Sequence, residues 1–152
     1  MESWNVWHAW NRLPGVVEEL HTAAMLNMFC REGRKVGLTL GAYFEPVNEG
    51  AIWVERSNAR LTPAGEVFRL FRAHHGNELI RVVNMSPQTA AALEISLRDM
   101  REIVQAEGTL LSSTDFLPES TFRRSRLPIR VAGRRMVVTV PKHSVAMLCI
   151  GL

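Results

Sequence analysis

The feature that most constrains this chain is the run from Val36 to Phe44, which contains no charged side chain and lies between the charged stretch Arg31 to Lys35 and Glu45. A short, uninterrupted apolar run bounded by turn residues fits a strand buried on both faces, as in a parallel sheet. Such a strand needs helices to cover it, and the flanking sequence supplies two. From Pro14 to Cys30, Val17, Leu20, Ala24 and Met28 recur at helical spacing with Glu18, Glu19 and His21 between them, and Gly33 follows as a stop. Thr62 and Pro63 announce the second helix as N-cap and first helical residue, its stripe is Val67, Leu70 and Phe71 running on to His74, and Gly76 stands where a C-cap is wanted. One buried strand and two helices cannot close a parallel sheet. Residues 1–76 therefore read as an α/β piece of something larger.

Beyond Gly76 the period changes from 3.6 to two. Leu93, Ile95 and Leu97 alternate with Glu94, Ser96 and Arg98, and further strands are expected over Leu79 to Val83, Ile103 to Leu111, Pro128 to Val131, Met136 to Val140 and Ser144 to Ile150. Short strands separated by turn signals imply an antiparallel sandwich or barrel over residues 77–152. The fold class is thus α/β followed by all-β.

With 152 residues, 47% apolar and 22% charged, the chain has the composition of a soluble globular protein. It holds no stretch near the roughly 20 apolar residues of a membrane span, and its start is too polar for a secretion signal, so as written it is expected in the cytoplasm; a missing upstream signal would leave the location open. Cys30 and Cys149 stand far apart in apolar runs and read as buried, reduced thiols. The net charge is only +3. The one concentration of cations, Arg123, Arg124, Arg126, Arg130, Arg134 and Arg135, has no interleaved aromatics and reads as a solvated face, with neither nucleic acid nor membrane as partner. Adjacent His74 and His75 point in different directions on a helix and make no metal site. There is no glycine-rich phosphate loop and no Gly-x-Ser-x-Gly elbow, and no cofactor is expected.

Four segments, in order, resemble one enzyme family. Ser3-Trp4-Asn5-Val6-Trp7-His8 is similar to the Asp-Glu-Trp-Asn-Val-Trp-Tyr segment at the end of the seventh barrel strand of the α-L-arabinofuranosidases of glycoside hydrolase family 51. His21 to Arg31 resembles that family's following helix, and Val36 to Ile52 its eighth strand and Val-Asn loop. Ser144 to Leu148, after Pro141, resembles the closing Pro-x-x-Ser-Val strand of its C-terminal sandwich. The resemblance implies that residues 1–76 are the C-terminal fragment of a (β/α)8 barrel and 77–152 a shortened C-terminal β-sandwich domain, with roughly the first six of the eight barrel units outside this chain.

It also implies a retaining glycosidase, which needs two carboxyl groups about 5 to 5.5 Å apart. The family's acid/base lies in a Gly-Asn-Glu segment on an earlier strand. The match Gly76-Asn77-Glu78 follows the last barrel helix, the wrong structural place, and reads as chance. Alignment on Trp-Asn-Val-Trp puts Ser3 at the nucleophile and Glu2 one residue before it. Either Glu2 takes the role after a one-residue shift, which on a strand turns the side chain to the other face, or the nucleophile is lost. Trp7 matches a tryptophan lining the substrate cleft, the alternative being a rim residue that packs. Glu45 matches a glutamine near the bound sugar; it and Glu49 either bind sugar hydroxyls or are solvated loop charges.

The function expected from these matches is release of arabinofuranosyl residues from arabinose-containing oligo- or polysaccharides when the barrel is complete, and inactivity alone. The alternative is a non-catalytic carbohydrate-binding or interaction module, against which stands the scarcity of aromatics after Gly76, where only Phe116 and Phe122 occur. The missing barrel portion should leave Leu38, Leu40 and the helix stripes exposed, so that the chain associates with itself or with the missing units.

Overall fold

The computed structural model describes residues 4, 6, 15–33, 35–37, 50–72, 79–96, 102–117 and 120–151. Helix α1 spans Val16–Glu32 and starts where Glu18 reaches back to accept a hydrogen bond from Gly15 N at 3.0 Å, half of a capping box. Helix α2, Pro63–Phe71, begins as its sequence requires: Pro63 is the first helical residue and Thr62 Oγ1 accepts from Gly65 N at 3.3 Å. Between the helices lies a hairpin, β1 (Ile52–Glu55) paired antiparallel with β2 (Asn58–Leu61).

The remaining strands are β3 (Leu79–Asn84), β4 (Ala91–Ser96), β5 (Gln105–Ser112), β6 (Arg123–Arg126), β7 (Ile129–Ala132), β8 (Arg135–Val140) and β9 (Ser144–Gly151). They form two antiparallel sheets, one in the order β3-β9-β5-β6 and one in the order β4-β8-β7. The sheets enclose a core of Ile103, Leu110, Leu127, Met136, Val138, Val140, Ala146 and Leu148. A second core lies on the other face of the four-stranded sheet, where Val16, Leu20 and Ala23 of α1 and Val67, Leu70 and Phe71 of α2 meet Leu111 of β5 and Val145 and Met147 of β9. The layers are therefore helix pair, four-stranded sheet, three-stranded sheet. Alternation along β9 sends Val145 and Met147 to the helices and Ala146 and Leu148 into the sandwich.

Several sequence expectations change here. The α1 stripe is rotated: Val16, Glu19, Leu20, Thr22 and Ala23 are buried, whereas Val17 and Met28 are 45% and 39% exposed. The face that packs is decided by the sheet beneath it, and the apolar residues of α1 are spread too widely to mark one phase. Gly33 closes α1 in a right-handed conformation, and the first left-handed residue is Gly37 at φ +68°, inside a turn that also holds Val36. The strand expected over Val36 to Phe44 thus has a turn at its start, and residues 38–44 lie outside the described set. So do His74, His75 and Gly76. Cys30 and Cys149 are free but exposed, not buried: each lies near the end of its element, beyond the stretch that fills the cores.

The β1–β2 hairpin was not foreseen because its two-residue turn, Arg56-Ser57, lacks the glycine or asparagine that signals one; Arg56 nevertheless adopts φ +53°. Strand β6 is likewise unexpected, its residues Arg-Arg-Ser-Arg being all exposed. The arginine group is a solvated face, as read, and it also forms a charged sheet edge, which discourages pairing with another chain. Because Leu148 is fully enclosed between the sheets, Leu148→Ala should lower the unfolding free energy by about 2–5 kcal/mol. Val137→Thr, on the open face of β8, should change it by less than about 0.5 kcal/mol. Urea titrations of the two variants measure the contrast.

Candidate functional site

Glu2, Ser3, Trp7, Glu45 and Glu49, the positions to which the sequence assigns catalysis and sugar binding, lie outside the described residues, as does Gly76-Asn77-Glu78. The supports on either side of these segments are described. Trp4 sits in an isolated β-bridge and is only 7% exposed. Its indole meets Phe29 of α1 edge-on, with centroids 5.0 Å apart and planes at 81°, and Phe68 of α2 in a tilted contact at 6.2 Å. Each such aromatic pair contributes about 0.5–1.5 kcal/mol beyond its buried area. Together they hold Trp4 against both helices.

The segment containing Glu45 is held at both of its ends. Val36 N donates to Glu32 O at 3.2 Å at the end of α1. At the other end Thr62 N donates to Ala51 O at 3.1 Å, and Thr62 Oγ1 donates to Gly50 O at 2.5 Å. A Cβ added to Gly65 would lie 2.2 Å from Ala51 O, so only glycine allows the loop backbone to pass over the first turn of α2. Thr62 therefore has two tasks, capping α2 and tying Gly50 and Ala51 to its start. The sequence shows the first; the second appears only when Gly50 and Thr62 are seen to meet.

Among the described residues Glu19 is the carboxyl group whose ionisation is pushed toward that of a general acid. It is 1% exposed. Burial raises its pKa to about 8, against a hydrogen bond from Thr22 that lowers it and the neighbouring Glu18 charge that raises it further. Its Oε2 has no hydrogen-bond partner. The group has an acid's protonation state near neutrality but no access to a substrate. Glu32 is pulled below the ordinary range by hydrogen bonds from Lys35 and Arg31, and Asp115 by hydrogen bonds from Ser120 and Leu117 N. No group of three or more His, Cys, Asp and Glu side chains among the described residues could hold a metal ion.

The Pro-x-x-Ser-Val segment, recognised in sequence only as a resemblance, is a hydrogen-bonded corner. Ser144 Oγ donates to Pro141 O at 2.5 Å, and Asn84 Nδ2 lies within 3.1 Å of three carbonyls, those of Thr89, Val140 and Pro141. His143, at φ +50° and 3% exposed, places Nε2 3.0 Å from Pro87 O and its ring 3.5 Å from that of Phe116. Phe116 and Phe122 also pack on the helix-side core. Both are partly buried by these contacts.

No protein-family model matches the sequence, and no curated protein matches it. The fold is shared with glycoside hydrolases. The chain aligns over 99% of its length with 40% of the GH51 arabinofuranosidase from Xanthomonas axonopodis pv. citri, at a TM-score of 0.82 and 14% identity. A second arabinofuranosidase structure gives a TM-score of 0.75 at 14% identity, with 99% of this chain and 42% of that one covered. The catalytic domain of GH30 xylanase C from Talaromyces cellulolyticus gives 0.71 at 10% identity, with 99% and 40% covered. The chain thus spans about two fifths of the length of these structures. These likenesses, at 10–14% identity, are likenesses of fold, and they include arabinofuranosidases and a xylanase.

The state of Glu19 sets a pH dependence. An unfolded glutamate titrates near 4.5 and this one near 8, so between those values the folded chain binds the extra proton. Stability is therefore complete below about pH 4.5 and falls as the pH rises through 8. Glu19→Gln should remove that decline and leave the variant more stable than the parent at pH 8. Urea midpoints of both proteins from pH 5 to 9 measure the difference, and parallel curves would contradict it.

Proposed function

We propose that this chain is the closing portion of a retaining glycoside hydrolase of the arabinofuranosidase type, supplying the last units of a (β/α)8 barrel and the sandwich that braces them. The observation that carries the reading is the alignment of 99% of the chain with 40% of an arabinofuranosidase. The packing of Trp4 against Phe29 of α1 and Phe68 of α2 supports it, because a barrel strand packs against helices on its outer side. In this reading the boundary between barrel units and sandwich falls near Gly76, Trp7 and Glu45 line the sugar cleft, and Glu2 is the candidate nucleophile. The substrate of the completed enzyme is an arabinose-containing oligo- or polysaccharide.

On its own the chain is inactive. A retaining mechanism needs a second carboxyl group about 5 to 5.5 Å from the nucleophile, and the family's acid/base strand is not in this sequence. General acid or base assistance contributes about 10² to 10⁴-fold. Positioning of the sugar by the rest of the cleft adds more. The purified chain should therefore release no aryl group from an aryl α-L-arabinofuranoside above the buffer rate. Release well above buffer that Glu2→Gln abolished would overturn the inactive reading and establish Glu2 as a working nucleophile.

A further inference from the structure

The seam between the helix layer and the four-stranded sheet holds an arginine, Arg81, two of whose guanidinium nitrogens have no hydrogen-bond partner. Leu79, Arg81 and Val83 alternate along β3 on one face, and Leu79 and Val83 pack with the helix-side core. Arg81 is thereby directed into that seam, its guanidinium carbon 4.5 Å from the centre of the Phe71 ring. Its Nε and one Nη are buried without a hydrogen-bond partner. A guanidinium cannot shed its proton to escape such a position.

A cleft of about 270 Å³ opens here, lined by Asn27, Cys30 and Arg31 of α1 and Leu79 and Arg81 of β3. Among the described residues its lining holds two guanidinium groups and one amide donor, and no carboxylate. Arg31 Nε is 2.8 Å from Glu32 Oε1 at the surface, and Lys35 Nζ is 3.0 Å from Glu32 Oε2, so Glu32 is already paired. Ligand clefts usually run from about 300 to 1,000 Å³, so this one suits a small group. The planar fork of donors on an arginine matches an oxyanion, and charge-assisted bonds to it are the strong kind.

We propose that this cleft binds a small oxyanion, a phosphate or a carboxylate group, with Arg81 as the inner donor, Arg31 as the outer cation and Asn27 completing the set. The proposal does not depend on the glycosidase reading, since no sugar-cleft residue takes part.

The test is calorimetric titration of the full chain with inorganic phosphate and, separately, acetate, at ionic strength held constant with sodium chloride. Saturable one-site binding of either is expected, and whichever binds more tightly fixes the class. Arg81→Met, which keeps an apolar stem on Phe71, should weaken binding on the order of tenfold or more. Asn27→Asp provides a check should Arg81→Met fold poorly. It places a carboxylate in the cleft and should abolish phosphate binding while raising the melting temperature of the free chain. Bound anion should also slow iodoacetamide labelling of Cys30. Binding of neither anion, or binding unchanged in both variants, would overturn the proposal.

Discussion

The rest of this structure depends on β9 being buried on both faces. From Ser144 to Leu148 every residue is enclosed, and consecutive side chains go to different cores. The strand lies between β3 and β5, so its backbone is also paired on both edges. A continuous apolar run is what such a strand requires, and Val-Ala-Met-Leu supplies it without alternation. A polar substitution at any of these positions would damage the sandwich or the helix seat, and neither can be repaired by turning the side chain to water.

This arrangement answers the difficulty posed by residues 1–76. Two helices and one buried strand cannot form a closed unit by themselves, and the sequence locates the missing cover in absent barrel units. The structure shows another cover for one face of the helices: Val16, Leu20, Ala23, Val67, Leu70 and Phe71 rest on Leu111, Val145 and Met147 of the sandwich. The two helices and the four-stranded sheet of the sandwich therefore share a core. Trp4 also bridges the two helices through Phe29 and Phe68.

The parts legible in the sequence were those where local chemistry and tertiary packing agree. Thr62-Pro63 specifies a helix start in any context, and β8 alternates exposed and buried residues from Arg135 to Val140 as a half-buried strand should. The parts that were not legible depend on partners distant in sequence. The phase of α1 is set by β3 and β9, the exposure of Cys149 by its place beyond the buried stretch of β9, and the turn at Arg56 by the pairing of Glu55 with Asn58. Of the candidate site, the resemblance supplied Glu2, Trp7 and Glu45. The anchors Trp4, Gly50 and Thr62 became evident through contacts that no spacing rule encodes.

Two ionisable groups buried by the helix layer show how burial is resolved differently for acids and for arginine. Glu19 on α1 can take up a proton, and with its pKa near 8 it does so at neutral pH, lowering the cost of its position to that of a neutral polar group. Arg81 on β3 has no such exit, and Phe71 offers its guanidinium only the weak attraction of a ring face. Arg81 also lines the cleft between α1 and β3 together with Arg31, and an anion there would meet both positive charges. The seam on which the helices rest is therefore also the place where a small ligand can add to the stability of the fold, because binding there acts on the layer that α1 and β3 share.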